Sequence, residues 1–504
     1  MHKIFSLFYV AVLATACLSF RFAKAQNLPG VKDSLNSAIL KQERIFQVIV
    51  PPDYKPESAD KYDVLYILDG EGNTQLAHDV SQFIAGENFM PHTIIVGVFN
   101  IDRDHDLTPT HVKDNGTSGG AGPFLLFLKS ELIPYINKKY PTDGVNTLFG
   151  HSFGGLFVTY AMLNEPGVFQ SYIAADPSFW WDKHYMNKVA IDKLPALANL
   201  NLTFYMSGRE GMALTGMGIP PMDSILKKYA PPSLTWKLSA YPDETHGSVR
   251  LKSMYDGLRF TYAGYNDKAP VFHPMAGIVL KDKPIKLWLF DNPDRVRYST
   301  DGVAPTKSSP KMLPEQTISG GATVIATSFS VREAYNRSDT GVFVTGDYLP
   351  AMKSPKKLLQ GGMHYQYYEG DWNKLPDFEK LKPVREGFAD STFRLGKLPR
   401  KENFGLVLQG MIAIDEEGYY IFGLNSDDGS KFYLDNKLVI NNDGLHGSDG
   451  VRSYIVPLRK GFYPVRIEYF QKGGGSALNL EYLTPSTIAR KDPKGIPFKL
   501  QYGR

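Results

Sequence analysis

Five residues constrain this chain more than any other feature: Gly150-His151-Ser152-Phe153-Gly154. A serine with glycine two positions away on either side suits a sharp turn from a strand into a helix, where neither flank has room for a side chain. The surroundings meet that condition. Val145 to Phe149 is strand-like and ends apolar, and Gly155 to Leu163 reads as a buried helix. A serine held this way presents its hydroxyl at the end of a sheet, so the spacing predicts a nucleophile. The competing reading is a glycine-rich turn of no chemical consequence, and the strand–turn–helix context weighs against it.

A serine hydroxyl needs an adjacent base, and the base needs a carboxylate to orient it. On this kind of turn the chain order is serine, acid, histidine. Of eleven histidines, only His184 and His246 follow Ser152 before the chain changes character near residue 266. His246 is the expected base, because Asp243 to Ser248 reads as a loop directly after the strand-like Leu234 to Tyr241; His184 reads as the start of a surface helix. Glu210 is the expected acid, following the strand-like Leu202 to Met206, with Asp243 and Glu244 as rivals close to His246. Two backbone N–H groups are expected to hold the oxyanion, one from Phe153 and one from the turn Leu68 to Gly72, at Gly70 or Glu71. Trp180 and Trp181 are read as walls of a substrate cleft, or else as caps on a core.

The rest of the 504 residues divides by pattern. From 27 to 266, short apolar strands alternate with helical stretches, which predicts an α/β layered sheet. From 267 to 352, helical periodicity gives way to short strands, read as a small immunoglobulin-like β-sandwich. From 353 to 504 strands continue with Gly, Asp and Asn turns, and Lys353 to Lys357 reads as a linker. A formal charge of +4 at this length gives no case for nucleic-acid binding.

Residues 1–25 read as a secretory signal: Lys3, an apolar run from Ile4 to Leu13, and Ala23-Lys24-Ala25 as the cleavage site. The expected location is therefore secreted or periplasmic, with no transmembrane span in the mature chain. An alternative is a lipid anchor at Cys17, because Leu13 to Cys17 loosely follows a lipoprotein signal. Cys17 is the chain's one cysteine, which excludes an intramolecular disulfide and a cysteine-ligated zinc site.

The runs Tyr62 to Gly70, Asp102 to Thr110, Gly150 to Gly155 and Thr245 to Val249 together resemble the esterase D / enterochelin esterase family, which includes feruloyl and acetyl-xylan esterases. The resemblance implies an α/β-hydrolase fold with Ser152 as nucleophile and His246 as base, and Glu210 as the most natural acid. Gly418 to Ser430, Leu434-Asp435, Asn442 to Gly447 and Lys460 to Pro464 resemble the protective-antigen-type β-sandwich attached to secreted glycosidases and adhesins. That resemblance implies carbohydrate binding and, in some relatives, calcium on an Asp-Asp pair, here Asp427 and Asp428, with Asn442 and Asp443 near. An Asp-Asp-Gly β-turn without a metal is the alternative. Val296 to Gly302 and Pro305-Thr306 resemble the small C-terminal sandwich of chitobiases.

Together these readings predict an exported serine esterase that needs no cofactor for catalysis and removes acetyl or feruloyl groups from an esterified polysaccharide. Two alternatives stand beside it: a hydrolase of siderophores or other small esters, and a carbohydrate-binding or adhesion protein with a vestigial hydrolase domain.

Overall fold

The computed structural model describes residues 30–57, 61–352, 363–389, 398–448 and 450–490. The expected signal at 1–25, Cys17 and the expected linker at 353–357 lie outside the described residues. The chain forms two compact units, one ending at Tyr265 and the other beginning at Asn266.

The first unit is a sheet of eight strands: β1 (Val31–Ser37), β2 (Gln42–Ile49), β3 (Tyr62–Ile67), β4 (Thr93–Val98), β5 (Thr142–His151), β6 (Ser171–Ala175), β7 (Leu202–Arg209) and β8 (Leu234–Tyr241). Their order is β1-β2-β4-β3-β5-β6-β7-β8. β1, β2 and β4 pair antiparallel, and from β4 across to β8 every pairing is parallel. β3, β4 and β6 are buried at every residue, which is why they read as unbroken apolar runs.

Helices cover both faces. On one lie α1 (Gly70–Gly86) and, near the end of the unit, Val249–Thr261, which pack on each other and on the sheet. α1 buries Asn73, Ala77, Val80 and Ile84, one stripe at helical spacing. On the other face lie α2 (Phe153–Asn164) and α3 (Trp181–Lys193). Before β5 the chain forms two α-helices, Ala121–Phe127 and Ile133–Lys139, joined by a π-helical turn at Leu128–Leu132. Val249–Thr261, hereafter α4, approaches β6 so closely at Gly257 that a Cβ there would lie 2.6 Å from Ile173. This unit is the α/β layered sheet that the strand–helix alternation predicts, in keeping with the α/β-hydrolase fold that the resemblance implies.

The second unit is almost all β, and strands from its two expected domains are joined in one sheet. Strands from the expected middle domain (Ala276–Leu280, Val296–Ser299, Ala322–Ser328, Arg337–Gly346) and from the expected C-terminal domain (Gly418–Asp427, Arg452–Leu458, Ala477–Leu483) share one seven-stranded sheet. Its seam is a parallel pairing of Ala276 with Tyr454 and Gly277 with Ile455. The strands of 267–352 therefore complete a sheet with those of the C-terminal region, and the expected free-standing immunoglobulin-like sandwich at 267–352 is not seen. The physical reason is alternation along shared strands. Ile421 and Ile455 enter the core with Val279, Leu287 and Phe343, while Phe422 and Val456 face a second core with Phe432 and Tyr469. One sheet thus closes two cores, against a three-stranded sheet on one side and a six-stranded sheet on the other. Among the described residues no helix is long and apolar enough to cross a membrane.

Candidate active site

β5 carries Leu148 and Phe149 into the core and ends at Gly150 and His151; α2 starts at Phe153. Between them Ser152 sits at φ 61, ψ −116, a strained conformation for a residue with a side chain. The flanking glycines are required by contact. A Cβ on Gly150 would lie 2.3 Å from the Gly154 carbonyl oxygen, and one on Gly155 would lie 3.0 Å from Pro177. The turn is tied to the end of β6, because Ser152 N–H donates to Ala175 O (3.0 Å) and Ser178 N–H donates to Ser152 O (3.2 Å). Ser152 Oγ shares a hydrogen bond with Ser178 Oγ at 3.3 Å.

His246 lies in the loop after β8, as expected, half-exposed. Its Nδ1 is 2.7 Å from Asp176 Oδ2. A proton on Nδ1 facing a carboxylate leaves Nε2 as the basic nitrogen, the tautomer a nucleophile's partner needs. Asp176 follows β6 directly, and its side chain is 0% exposed. Burial alone would raise its pKa, but hydrogen bonds from His246 and Arg209 outweigh burial and hold the carboxyl below its ordinary range. His151 stacks beside the base with ring centroids 4.4 Å apart. Burial, helped by the neighbouring His246 and Arg250, pushes His151 down to about 4, so it stays neutral beside the base near pH 7.

Glu210, the expected acid, is corrected. It is exposed, and its backbone N–H donates to Tyr241 O (2.9 Å). β7 runs two residues past the end of its neighbour β6, which stops opposite Ser207, and side chains alternate along it. Arg209 turns inward and places Nε 2.6 Å from Asp176 Oδ2, so Glu210 falls on the other side. The rivals are placed as well. Glu244 is held by Lys252 (2.7 Å) and by Ser248, and Asp243 occupies a left-handed turn position at φ 59. His184 sits in the kinked start of α3 against Gly218. Asp176 meets the same order filter as Glu210, between Ser152 and His246, and follows an equally apolar strand.

On the oxyanion side, Phe153 opens α2, and Gly70 and Glu71 open α1, so the expected loop is a helix start. First-turn N–H groups have no acceptor within their own helix, which makes them available donors. Gly70 is pinned against β4: a Cβ would lie 2.7 Å from Gly97 C. Asp69, at φ 54, lies beside the elbow, 3.3 Å from where a Cβ on Gly154 would be. Its carboxylate accepts Arg103 at 2.7 and 3.0 Å and Asn100 at 2.7 Å. Arg103 also donates to His151 O (3.2 Å) and lies over the Phe153 ring at 5.4 Å. Arg103, Asp69, Arg209 and Ser178 are site neighbours that the motif search did not single out.

The two tryptophans separate. Trp181 is buried, donates to Thr110 Oγ1 (3.0 Å) and packs edge-on against Phe153 (5.2 Å), so it is a core residue, not a cleft wall. Trp180 is 45% exposed and 5.9 Å from Phe153, where it can meet a ligand.

In the second unit Asp428 Oδ2 accepts Lys472 N–H (2.8 Å), and Asp443 accepts Leu375 N–H (2.7 Å) and pairs with Lys431 (3.2 Å). Asn442 donates to Ser426 Oγ (3.2 Å). Burial and neighbouring Asp428 raise the Asp427 carboxyl. Asp427, Asp428 and Asp443 do not bring three carboxylate ligands within 4.8 Å of one another. Around the expected calcium pair Asp427 and Asp428, then, Asp428, Asn442 and Asp443 all have partners within the chain.

Comparison with known proteins accords with this geometry. Residues 37–201 match the esterase family model described as "Putative esterase", and residues 359–495 match the PA14 domain, the protective-antigen type. The ferri-bacillibactin esterase BesA of Bacillus subtilis is 29% identical over 187 residues, 33% of this chain and 64% of that protein. The siderophore triacetylfusarinine C esterase of Aspergillus fumigatus is 30% identical over 131 residues, 24% of this chain and 45% of that protein. A solved structure of an IroE-like serine hydrolase from Shewanella oneidensis is 31% identical, with 46% of this chain and 79% of that chain covered and a TM-score of 0.42. The chain therefore spans less than two thirds of the length of the curated relatives it matches.

Proposed function

We propose that this chain is an exported serine carboxylic-ester hydrolase whose substrates are siderophore esters. The observation that carries it is the 2.7 Å bond from His246 Nδ1 to buried Asp176, set beside a strained Ser152 elbow. In this reading Ser152 Oγ turns from Ser178 to His246 Nε2, gives up its proton and attacks the ester carbonyl. The tetrahedral oxyanion is held by Phe153 N–H and a first-turn N–H of α1, at Gly70 or Glu71. The imidazolium returns its proton to the departing alkoxide, and water then releases the acyl group by the same path in reverse.

The relatives named above act on siderophore esters, and they favour that substrate class over polysaccharide acyl groups. Exposed Trp180 beside Phe153 gives an aromatic surface at the nucleophile that suits an aryl-bearing ester. The test is hydrolysis by the purified full-length chain of a catecholate siderophore, methyl ferulate and acetylated xylan, each with Ser152→Ala as control. Cleavage of the siderophore that Ser152→Ala abolishes is the expected result. Cleavage of xylan acetate with the siderophore untouched refutes the substrate, and no Ser152-dependent ester hydrolysis refutes the activity.

A further inference from the structure

One oxygen of the catalytic acid does two jobs. Asp176 Oδ2 accepts from His246 Nδ1 at 2.7 Å and from Arg209 Nε at 2.6 Å, while Oδ1 is buried without a partner. We propose that Arg209 is a positioning residue of the triad, fixing Oδ2 toward His246 and opposing, by its charge, the positive charge that the imidazole gains as it takes the serine proton. This rests on the esterase reading above.

The placement follows from the sheet. Ala175 is paired with Ser207, and Asp176 N–H continues that ladder by donating to Ser207 O (2.9 Å). β7 then runs on to Arg209, whose backbone is held by Tyr241 of β8, so the guanidinium folds back over the carboxylate from a rigid strand end. A buried carboxylate with one free oxygen could otherwise turn either oxygen to the imidazole. With Arg209 present, Oδ2 is the one held.

The electrostatic consequence has a definite sign. Two donors on one oxygen at 2.6 and 2.7 Å stand within about 5 Å of each other. An imidazolium at His246 therefore meets the Asp176 carboxylate and, on the same oxygen, the Arg209 guanidinium. The other charged or titratable groups around the base are His151, Arg250 on α4, Asp243 and Glu244 of its own loop, the latter paired with Lys252, and Arg103 behind the His151 carbonyl. His151 is neutral above about pH 4, and the arginines keep their charge throughout. Arg209 therefore sets a fixed positive charge against the one that His246 takes on when it accepts the serine proton.

The test is the pH profile of kcat/KM on p-nitrophenyl acetate for the full-length chain carrying Arg209→Gln, Arg209→Met or Arg209→Lys. Both neutral variants are expected to move the acid limb to higher pH by about one unit, with KM unchanged. Arg209→Lys is expected to restore the wild-type limb. Gln keeps a donor for Asp176 and Met keeps the apolar stem, so whichever folds reads out the charge. An acid limb that coincides with wild type in a neutral variant overturns the proposal while leaving the esterase reading intact. A wild-type chain that hydrolyses no ester overturns the esterase reading instead.

Discussion

Asp176→Asn separates the charge of the acid from its geometry. In the serine-protease triad the same swap costs about 10⁴-fold in kcat, because the amide presents an N–H to the imidazole and selects the wrong tautomer. Here the amide has less freedom. Arg209 Nε and His246 Nδ1 both donate to Oδ2, and a guanidinium N–H cannot accept, so the amide oxygen must take the Oδ2 place. Its NH₂ then occupies the Oδ1 position, which is buried and already without a partner. The tautomer survives, and only the carboxylate's charge beside the imidazolium is lost. The expected loss is thus ~10²- to 10³-fold in kcat, roughly 3–4 kcal/mol. Arg209, 22% exposed, can recover hydration, but the NH₂ left buried without an acceptor should cost about 1–3 kcal/mol of stability. The assay is steady-state hydrolysis of p-nitrophenyl acetate with Asp176→Asn and Glu210→Gln side by side. Glu210→Gln should behave as wild type. Activity lost in Glu210→Gln but retained in Asp176→Asn would refute the assignment of the acid, and a loss of 10⁴-fold or more in Asp176→Asn would refute the pinning by Arg209.

Three further outcomes follow from the packing. Gly150→Ala places a Cβ 2.3 Å from the Gly154 carbonyl, so it should cost at least about 1–3 kcal/mol and most of the activity, read by urea unfolding and by rate. The buried pair Arg44–Asp106, 2.7 Å apart with both side chains 1% exposed, should lose about 3–5 kcal/mol on Asp106→Asn, whereas Arg44→Met with Asp106→Leu should lose less; both are read by urea unfolding of the first unit. In the second unit, burial holds His273 at about 4 against 6.5 for a free histidine. The unfolded chain then binds the extra proton between those values, so stability should fall by at most about 3 kcal/mol from pH 6.5 to 4. Unfolding midpoints of wild type and His273→Asn at pH 7 and 4.5 check it, and parallel falls in both proteins would refute it.

Local signals carried a large part of the first unit. β3 and β4 are short apolar runs between turns, and each is a buried strand paired in parallel with the other. The serine elbow was legible because its glycine requirement is a contact between residues four apart, Gly150 and Gly154. His246 was legible because chain order and a strand end suffice to place a base. The start of α1 was hidden, since Asp69-Gly70-Glu71-Gly72 has turn chemistry and becomes helical through Gly70 packing on β4. The sheet shared across the second unit was hidden for the same reason on a larger scale, as its seam joins Gly277 to Ile455.

The acid shows where a sequence reading runs out. Asp176 and Glu210 both end apolar strands, both lie between Ser152 and His246, and both are followed by a turn. What separates them is which side of a strand end faces the base, and that depends on how far each strand outruns its neighbour. β6 stops at Ala175, one residue short of Asp176, so the aspartate turns under the His246 loop. β7 continues to Arg209, which takes the inward position and leaves Glu210 outside. The inward Arg209 is itself a signal. A buried carboxylate calls for a cation or donors at its side, and Ser207-Gly208-Arg209 presents an arginine after a glycine with no room for a side chain, its Cβ 2.6 Å from Ile219. An arginine at the end of the strand beside an aspartate-terminated strand therefore marks the aspartate, not the glutamate that follows the arginine, as the buried acid.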